Sequence, residues 1–269
     1  MKAFWEILRP FNCLMASAAA IIGLALAGGM RPWDTGFIFF AVFLITGAGN
    51  AINDYYDREI DAINRPGRPL PGGRISPAAA WRYSLALFLA GSFLAGLVNS
   101  ICLFLAAFNS ALLFFYARNL KAMPLSGNIC VAFLTGSTFL FGGAAVGMQG
   151  LMTNMVPFFL SFLASMSREI AKDIEDMAGD VAGGARTLPI LAGERISRAL
   201  AAGFALTAIA LSFFPPLGKG YLAVVAVADI LFLLSVKMIL QSDATGAQKA
   251  LKKGMGVALV AFLAGALLP

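Results

Sequence analysis

Apolar residues run along this chain in long unbroken blocks, separated by short polar stretches. Blocks close to the ~20 residues that a helix needs to cross a bilayer recur at about 11–29, 37–60, 79–98, 100–117, 127–147, 154–175, 197–214, 219–240 and 250–268. Hydrophobicity sustained over such lengths, without period-2 alternation, predicts helices. The expected fold class is therefore all-α: a polytopic membrane protein with nine transmembrane helices in a bundle. The opening block has a basic start and an apolar core, as a signal peptide would. Trp5, Glu6 and Pro10 flank it, however, and many further blocks follow, so a retained first helix is expected.

Composition agrees with the pattern. Of 269 residues, 59% are hydrophobic and only 13% charged, about half the charged share of a soluble domain. The net charge of +6 might have suggested nucleic acid, but its placement points to a membrane and to no nucleic acid. With nine crossings, all of the 20 Lys and Arg residues except Arg31 and Lys219 fall on the side of the N-terminus. That asymmetry puts the N-terminus and the charged loops in the cytoplasm of a multi-pass cell-membrane protein. Two of those loops, roughly 62–77 and 177–195, are long and rich in Gly, Pro and Arg, as functional lids often are. The absence of histidine removes His-based acid–base catalysis and His-ligated metals, and Cys13, Cys102 and Cys130 read as apolar filler.

The acidic residues are concentrated. Nine of the fourteen lie in "NAINDYYDREID" (50–61) and "EIAKDIEDMAGD" (169–180), directly behind two of the apolar blocks. Asp54, Asp57 and Asp61 step by three and then four, so on a helix their carboxylates share one face. Asp173, Asp176 and Asp180 repeat that spacing, each 119 positions further on. Downstream, "RPLPGGRIS" (68–76) is echoed by "RTLPILAGERIS" (186–197). The whole chain, 1–269, is expected to form one domain with an internal repeat of about 1–117 and 118–240, and a ninth helix, 250–268, appended. Carboxylate sites without His or Cys select hard divalent cations, Mg²⁺ above all, and Mg²⁺ typically takes one or two protein carboxylates together with substrate phosphates. Arg and Lys near both motifs suit phosphate oxygens. Two acidic helix faces with basic neighbours therefore read as a diphosphate clamp.

At these residues the chain resembles a family. "NDYYDREID" (53–61) is similar to the first Asp-rich signature of the UbiA superfamily of intramembrane prenyltransferases, and "DIEDMAGD" (173–180) to the second; the "YARNLK" and closing "GN" of 116–128 resemble the segment between them. The resemblance implies a helical bundle around a central cavity, capped by the two motif loops on the cytoplasmic side. It implies two Mg²⁺ ions, held by Asn53, Asp54, Asp57 and Asp61 and by Asp173, Asp176 and Asp180, with the six aspartates as the catalytic set. Arg65, Arg68 and Lys121 would share the charge of an isoprenyl diphosphate. Lys172, Tyr116, Asn50, Arg9 and Asn12 complete the expected substrate-binding residues. The two motif stretches look most like the archaeal ether-lipid branch, which implies geranylgeranyl diphosphate as donor, geranylgeranylglyceryl phosphate as acceptor and a bilayer as surroundings. Prenylation of an aromatic acceptor in quinone, haem or chlorophyll synthesis is the alternative within the family. Outside it stands a transporter for cations or small solutes, whose sites would lie nearer the bilayer midplane than these helix ends do. Asp229, alone in the eighth block, is expected to make a helix-packing hydrogen bond or to be a protonated acid.

Overall fold

The structure, a computed structural model, describes residues 2–29, 31–182 and 184–268. Gly183, the first glycine of the turn stretch in the second long loop, lies outside them. In chain order the helices are α1 (Lys2–Ile7), α2 (Pro10–Leu26), α3 (Pro32–Tyr56), α4 (Arg58–Asn64), α5 (Pro77–Val98), α6 (Ser100–Arg118), α7 (Ser126–Ala144), α8 (Met148–Thr153), α9 (Met155–Ala182), α10 (Leu188–Ala192), α11 (Glu194–Ser212), α12 (Gly218–Leu240) and α13 (Ala244–Leu267). Among the described residues there is no strand, as the apolar pattern predicts.

Local signals explain most of the boundaries. Pro10, Pro32 and Pro77 each open a helix, where the missing N–H costs nothing and the fixed φ is already helical. The Ser76 hydroxyl caps α5 by accepting from the Ala79 N–H, and Asn99 ends α5 while its side chain caps α6 through the Cys102 N–H. Asp243 caps α13 through the Gly246 N–H.

Seven helices are long and apolar enough to cross a membrane: α3, α5, α6, α7, α11, α12 and α13. The other two expected crossings also coincide with helices. α2 has only 17 residues, and α9, at 28 residues, carries the second acidic motif along its latter part. Length and composition thus support seven crossings directly, and the count of nine is not established by them. The short helices α1 and α8 fall where no element was expected. The second long loop is also shorter than its composition suggested, because α9 continues to Ala182 and α10 forms at Leu188–Ala192. Asp176 and Asp180 consequently sit on the α9 helix itself.

The chain divides into two compact units. The first comprises residues 1–119 and 138–153, and the second 120–137 and 154–269, so the division falls within α7. In the first unit α3 packs against α2, α5 and α6. Small residues permit close approach there: a Cβ on Gly142 would fall 1.9 Å from the Ala20 carbonyl oxygen of α2, and one on Gly91 would fall 2.6 Å from Ile45 of α3. In the second unit α9 packs against α11 and α13, and α12 pairs with α13. The three cysteines are buried and unbridged, as expected of apolar filler.

Candidate active site

The first acidic motif straddles a helix junction. α3 ends at Tyr56, Asp57 takes φ −87° and ψ 0°, and α4 begins at Arg58. The winding is nearly preserved across the break: the Asp57 N–H donates to the Asn53 carbonyl at 2.9 Å and the Asp61 N–H to the Asp57 carbonyl at 2.8 Å. Asp54 and Asp61 accordingly face the same way, and a single guanidinium nitrogen of Arg68 reaches both, at 3.3 and 2.5 Å. Arg9 donates a second charge-assisted hydrogen bond to the same Asp54 oxygen, at 2.5 Å. Asp54 is only 3% exposed, so two cations offset the cost of burying its charge. Beside it the Asn53 amide donates to Asp57 at 2.8 Å, one helical turn away.

Two segments far apart in sequence bring those cations in. Arg68 comes from the 62–77 loop, which folds back onto the unit. Leu70 and Ile75 are buried in a cluster with Ile7, Leu8, Cys13 and Phe43. The Gly72 N–H closes the turn on the Arg68 carbonyl at 2.9 Å, and Gly73, at φ +65°, continues it in a conformation that favours glycine. Arg74 then grips Glu6 of α1 through two hydrogen bonds, 2.6 and 2.8 Å long, and donates to the Gly67 carbonyl. The hydrogen bond from Arg74 holds the Glu6 carboxyl below its usual range. Arg9 sits between α1 and α2 in a left-handed conformation, φ 52° and ψ 68°. The Asn50 amide fixes this joint by donating to the Leu8 carbonyl at 2.7 Å. Asn50 was expected beside substrate; its amide is used one residue before Arg9. Of the remaining expected residues in this unit, Asn12 and Arg65 are exposed and Tyr116 is half-buried.

The second motif rides on unbroken helix. Asp173 accepts from the Asn128 amide of α7 at 2.8 Å. Lys172 lies 3.1 Å from Asp176 one turn on, in a pair whose two side chains are about half exposed. Glu175, on the same helix, accepts from Thr245 at 2.8 Å and Gln248 at 3.0 Å, both on α13. Burial raises the Asp180 carboxyl above its ordinary range, the Asp176 charge adds to this, and Lys172 opposes it. Leu188 of the answering loop is buried against Ile170 and Ala171 of α9, much as Leu70 is buried in the first unit. Lys121 lies in a short 3₁₀ turn, Leu120–Ala122, and is half-buried. Asn128 was not among the expected site residues, although "LSGN" directly precedes an apolar block; its signal is that it stands 119 positions after Arg9. Asp229 is buried and accepts from Ser212 at 2.8 Å, while Tyr221 donates to the Ser212 carbonyl, a packing role as expected.

Among the described residues, no three acidic side chains stand close enough to form a ready-made ion cage. Each motif instead offers hard carboxylate oxygens with an amide nearby and neither sulfur nor imidazole. That donor set fits Mg²⁺, which keeps water and phosphate in most of its coordination positions.

A multi-pass helical membrane protein with two Asp-rich helix faces, the first clasped by guanidinium groups, belongs to a recognisable class. The chain is a member of the UbiA prenyltransferase family, which matches residues 14–264, and it is a prenyltransferase. More particularly, it is 52% identical over 262 residues to digeranylgeranylglyceryl phosphate synthase of Methanothrix thermoacetophila, covering 97% of each chain. It is 48% identical over 281 residues to the enzyme of that name from Methanococcoides burtonii, covering 99% of this chain and 100% of the other. A solved structure concerned with digeranylgeranylglyceryl phosphate synthase, 37% identical, has a TM-score of 0.85 over 99% of this chain and 98% of its own. A UbiA homologue from Archaeoglobus fulgidus, bound to DMAPP and Mg²⁺, is 16% identical and shares the fold at a TM-score of 0.69, over 98% of this chain and 97% of its own.

Proposed function

We propose that this protein transfers a geranylgeranyl group from geranylgeranyl diphosphate to the free hydroxyl of geranylgeranylglyceryl phosphate and releases diphosphate. The observation that carries this reading is the full-length similarity to relatives bearing the synthase name. The carboxylate and guanidinium groups around Asp54, Asp61 and Arg68 are the chemistry such a reaction needs.

In the proposed reaction the allylic C–O bond breaks with its electron pair leaving on diphosphate. The acceptor oxygen forms the new ether C–O bond and gives up its proton to the released diphosphate. When bound, Mg²⁺ would neutralise the charge that grows on the departing diphosphate. Asn53, Asp54, Asp57 and Asp61 would hold one such ion, and Asp173, Asp176 and Asp180 another. In the first unit Arg68 and Arg65 suit diphosphate oxygens as planar forks, and in the second Lys121 does so as a point charge. Arg9 and Asn50 position the first motif, and Lys172 does so for the second. The stretches of about 1–117 and 118–240 are read as a duplication, and the motif loops as facing the cytoplasm, where the basic residues concentrate.

The test is incubation of the purified protein with Mg²⁺, geranylgeranyl diphosphate and geranylgeranylglyceryl phosphate. A doubly alkylated glyceryl phosphate and pyrophosphate are expected, and EDTA should abolish both. Prenylation of 4-hydroxybenzoate or a naphthoate, with none of the glyceryl phosphate lipid, would move the chain to the aromatic branch. Full turnover after thorough chelation would end the Mg²⁺ assignment.

A further inference from the structure

The leading aspartates of the two motifs take their partners from matching positions. Arg9 stands 45 residues before Asp54 and donates to it, and Asn128 stands 45 residues before Asp173 and donates to it. Each donor lies at the start of a helix: Arg9 directly before α2, and Asn128 in the first turn of α7, in the part of that helix that belongs to the second unit. The position is duplicated and the charge is not. A guanidinium meets Asp54, joined there by Arg68, whereas a neutral amide meets Asp173.

At the next position the order is reversed. Asn53 donates to Asp57, and its counterpart 119 positions on, Lys172, pairs with Asp176. The two exchanges differ in weight. The Lys172–Asp176 pair is about half exposed, so water screens the ammonium from a nearby cation. Asp54 is 4% exposed in its side chain, and Arg68 18% exposed, so their charges act through a less polar medium. A divalent cation approaching Asp54 would meet two guanidinium charges and would have to replace charge-assisted hydrogen bonds already made. At Asp173 it would meet an amide on one carboxylate oxygen.

We propose that Arg9 and Asn128 make the two motifs unequal toward divalent cations. The Asp173 motif takes one unaided, and the Asp54 motif takes one only when a diphosphate is present to draw Arg9 and Arg68 off its carboxylates. This rests on the Mg²⁺-dependent reading above and adds an order of binding to it. The first motif stays neutralised until donor arrives.

Titration of the full-length protein in detergent with Mn²⁺, followed by the electron paramagnetic resonance of the free ion, separates the two motifs. Without pyrophosphate, about one Mn²⁺ per chain should bind, Asp173→Asn should weaken it by at least about tenfold, and Asp54→Asn should leave it within about twofold. Inorganic pyrophosphate should bring a second ion whose binding requires Asp54. Arg9→Asn combined with Arg68→Gln, which removes both guanidinium groups from Asp54, should bring that second ion without pyrophosphate, Arg9→Asn alone should lower the pyrophosphate needed for it, and Asn128→Arg should expel the first. Arg9→Gln serves in place of Arg9→Asn if the latter does not elute as a single folded species. Equal binding at both motifs without pyrophosphate overturns the proposal and leaves Mg²⁺-dependent transfer standing, as does dependence on Asp54 with none on Asp173. No binding under either condition, by protein that elutes as wild type, overturns both readings.

Discussion

In the first unit the acidic motif crosses the junction of α3 and α4, its leading aspartate is buried, and two arginines from distant segments hold it. In the second unit the same spacing lies on one continuous helix, its leading aspartate is half-buried, and an asparagine holds it. The comparison separates two kinds of information. A helical step of three and then four puts three carboxylates on one face where the helix is continuous, and across the α3–α4 junction Asp54 and Asp61 still meet the same Arg68 nitrogen. The groups that answer those carboxylates arrive from elsewhere in the chain, so they can diverge while the spacing is kept.

The largest expected effect comes from the cation that ties the first motif together. Arg68→Ala leaves Asp54 and Asp61 without the nitrogen they share, and under the proposed reaction it should lower kcat/KM by about a hundredfold or more. Arg68→Lys should recover only part, since an ammonium cannot reproduce the planar fork; full recovery would show that charge alone matters there. The change expected in the second unit is smaller. Asn128→Ala should reduce Mg²⁺ affinity by about tenfold, read as a higher Mg²⁺ concentration for half-maximal turnover, with kcat at saturating Mg²⁺ less affected.

A third prediction uses the pH dependence of the second motif. Burial raises the Asp180 carboxyl, so the metal-free protein keeps its proton to a higher pH than an ordinary aspartate, for which the pKa is about 3.9. Mg²⁺ must displace that proton. Its apparent affinity should therefore begin to fall, as pH is lowered, while ordinary aspartates are still ionised, and Asp180→Asn should flatten that part of the profile. The smallest effect belongs to the exposed grip of Arg74 on Glu6. The Glu6 carboxyl is held below its usual range, so whatever stability it contributes is present above the ordinary glutamate pKa and is lost as pH falls through the lowered one. Glu6→Gln should remove that acid limb from the thermal midpoint and change turnover little.

Much of the architecture can be read from the apolar blocks, because a continuous greasy stretch of bilayer length has one stable solution in lipid. Proline at 10, 32 and 77 marks helix starts in plain view. The carboxylate faces are legible for the same reason, since their periodicity is local. The partners of those carboxylates are less so. Arg9 was expected at the site through family likeness, but nothing near it in sequence says that it reaches Asp54, 45 residues on. Asn128 closes the family-like segment 116–128 without being assigned a role, although the offset of 119 that relates the motifs leads to it from Arg9. Leu70 and Ile75 sit among Gly, Pro and Arg and look like loop, yet they anchor that loop and so aim Arg68. Such placements depend on tertiary packing, and a pattern of hydrophobicity along the chain does not encode which distant surface a short apolar pair will cover.

Arg9 holds a backbone shape that side-chain-bearing residues avoid, immediately before a proline. Left-handed geometry costs such a residue roughly 1–2 kcal/mol, a cost that glycine would largely escape. A glycine there would release that backbone cost, but it would strand a buried acid with one cation fewer, and the second loss outweighs the first. The awkward joint persists because the side chain it carries answers a charge that water cannot reach.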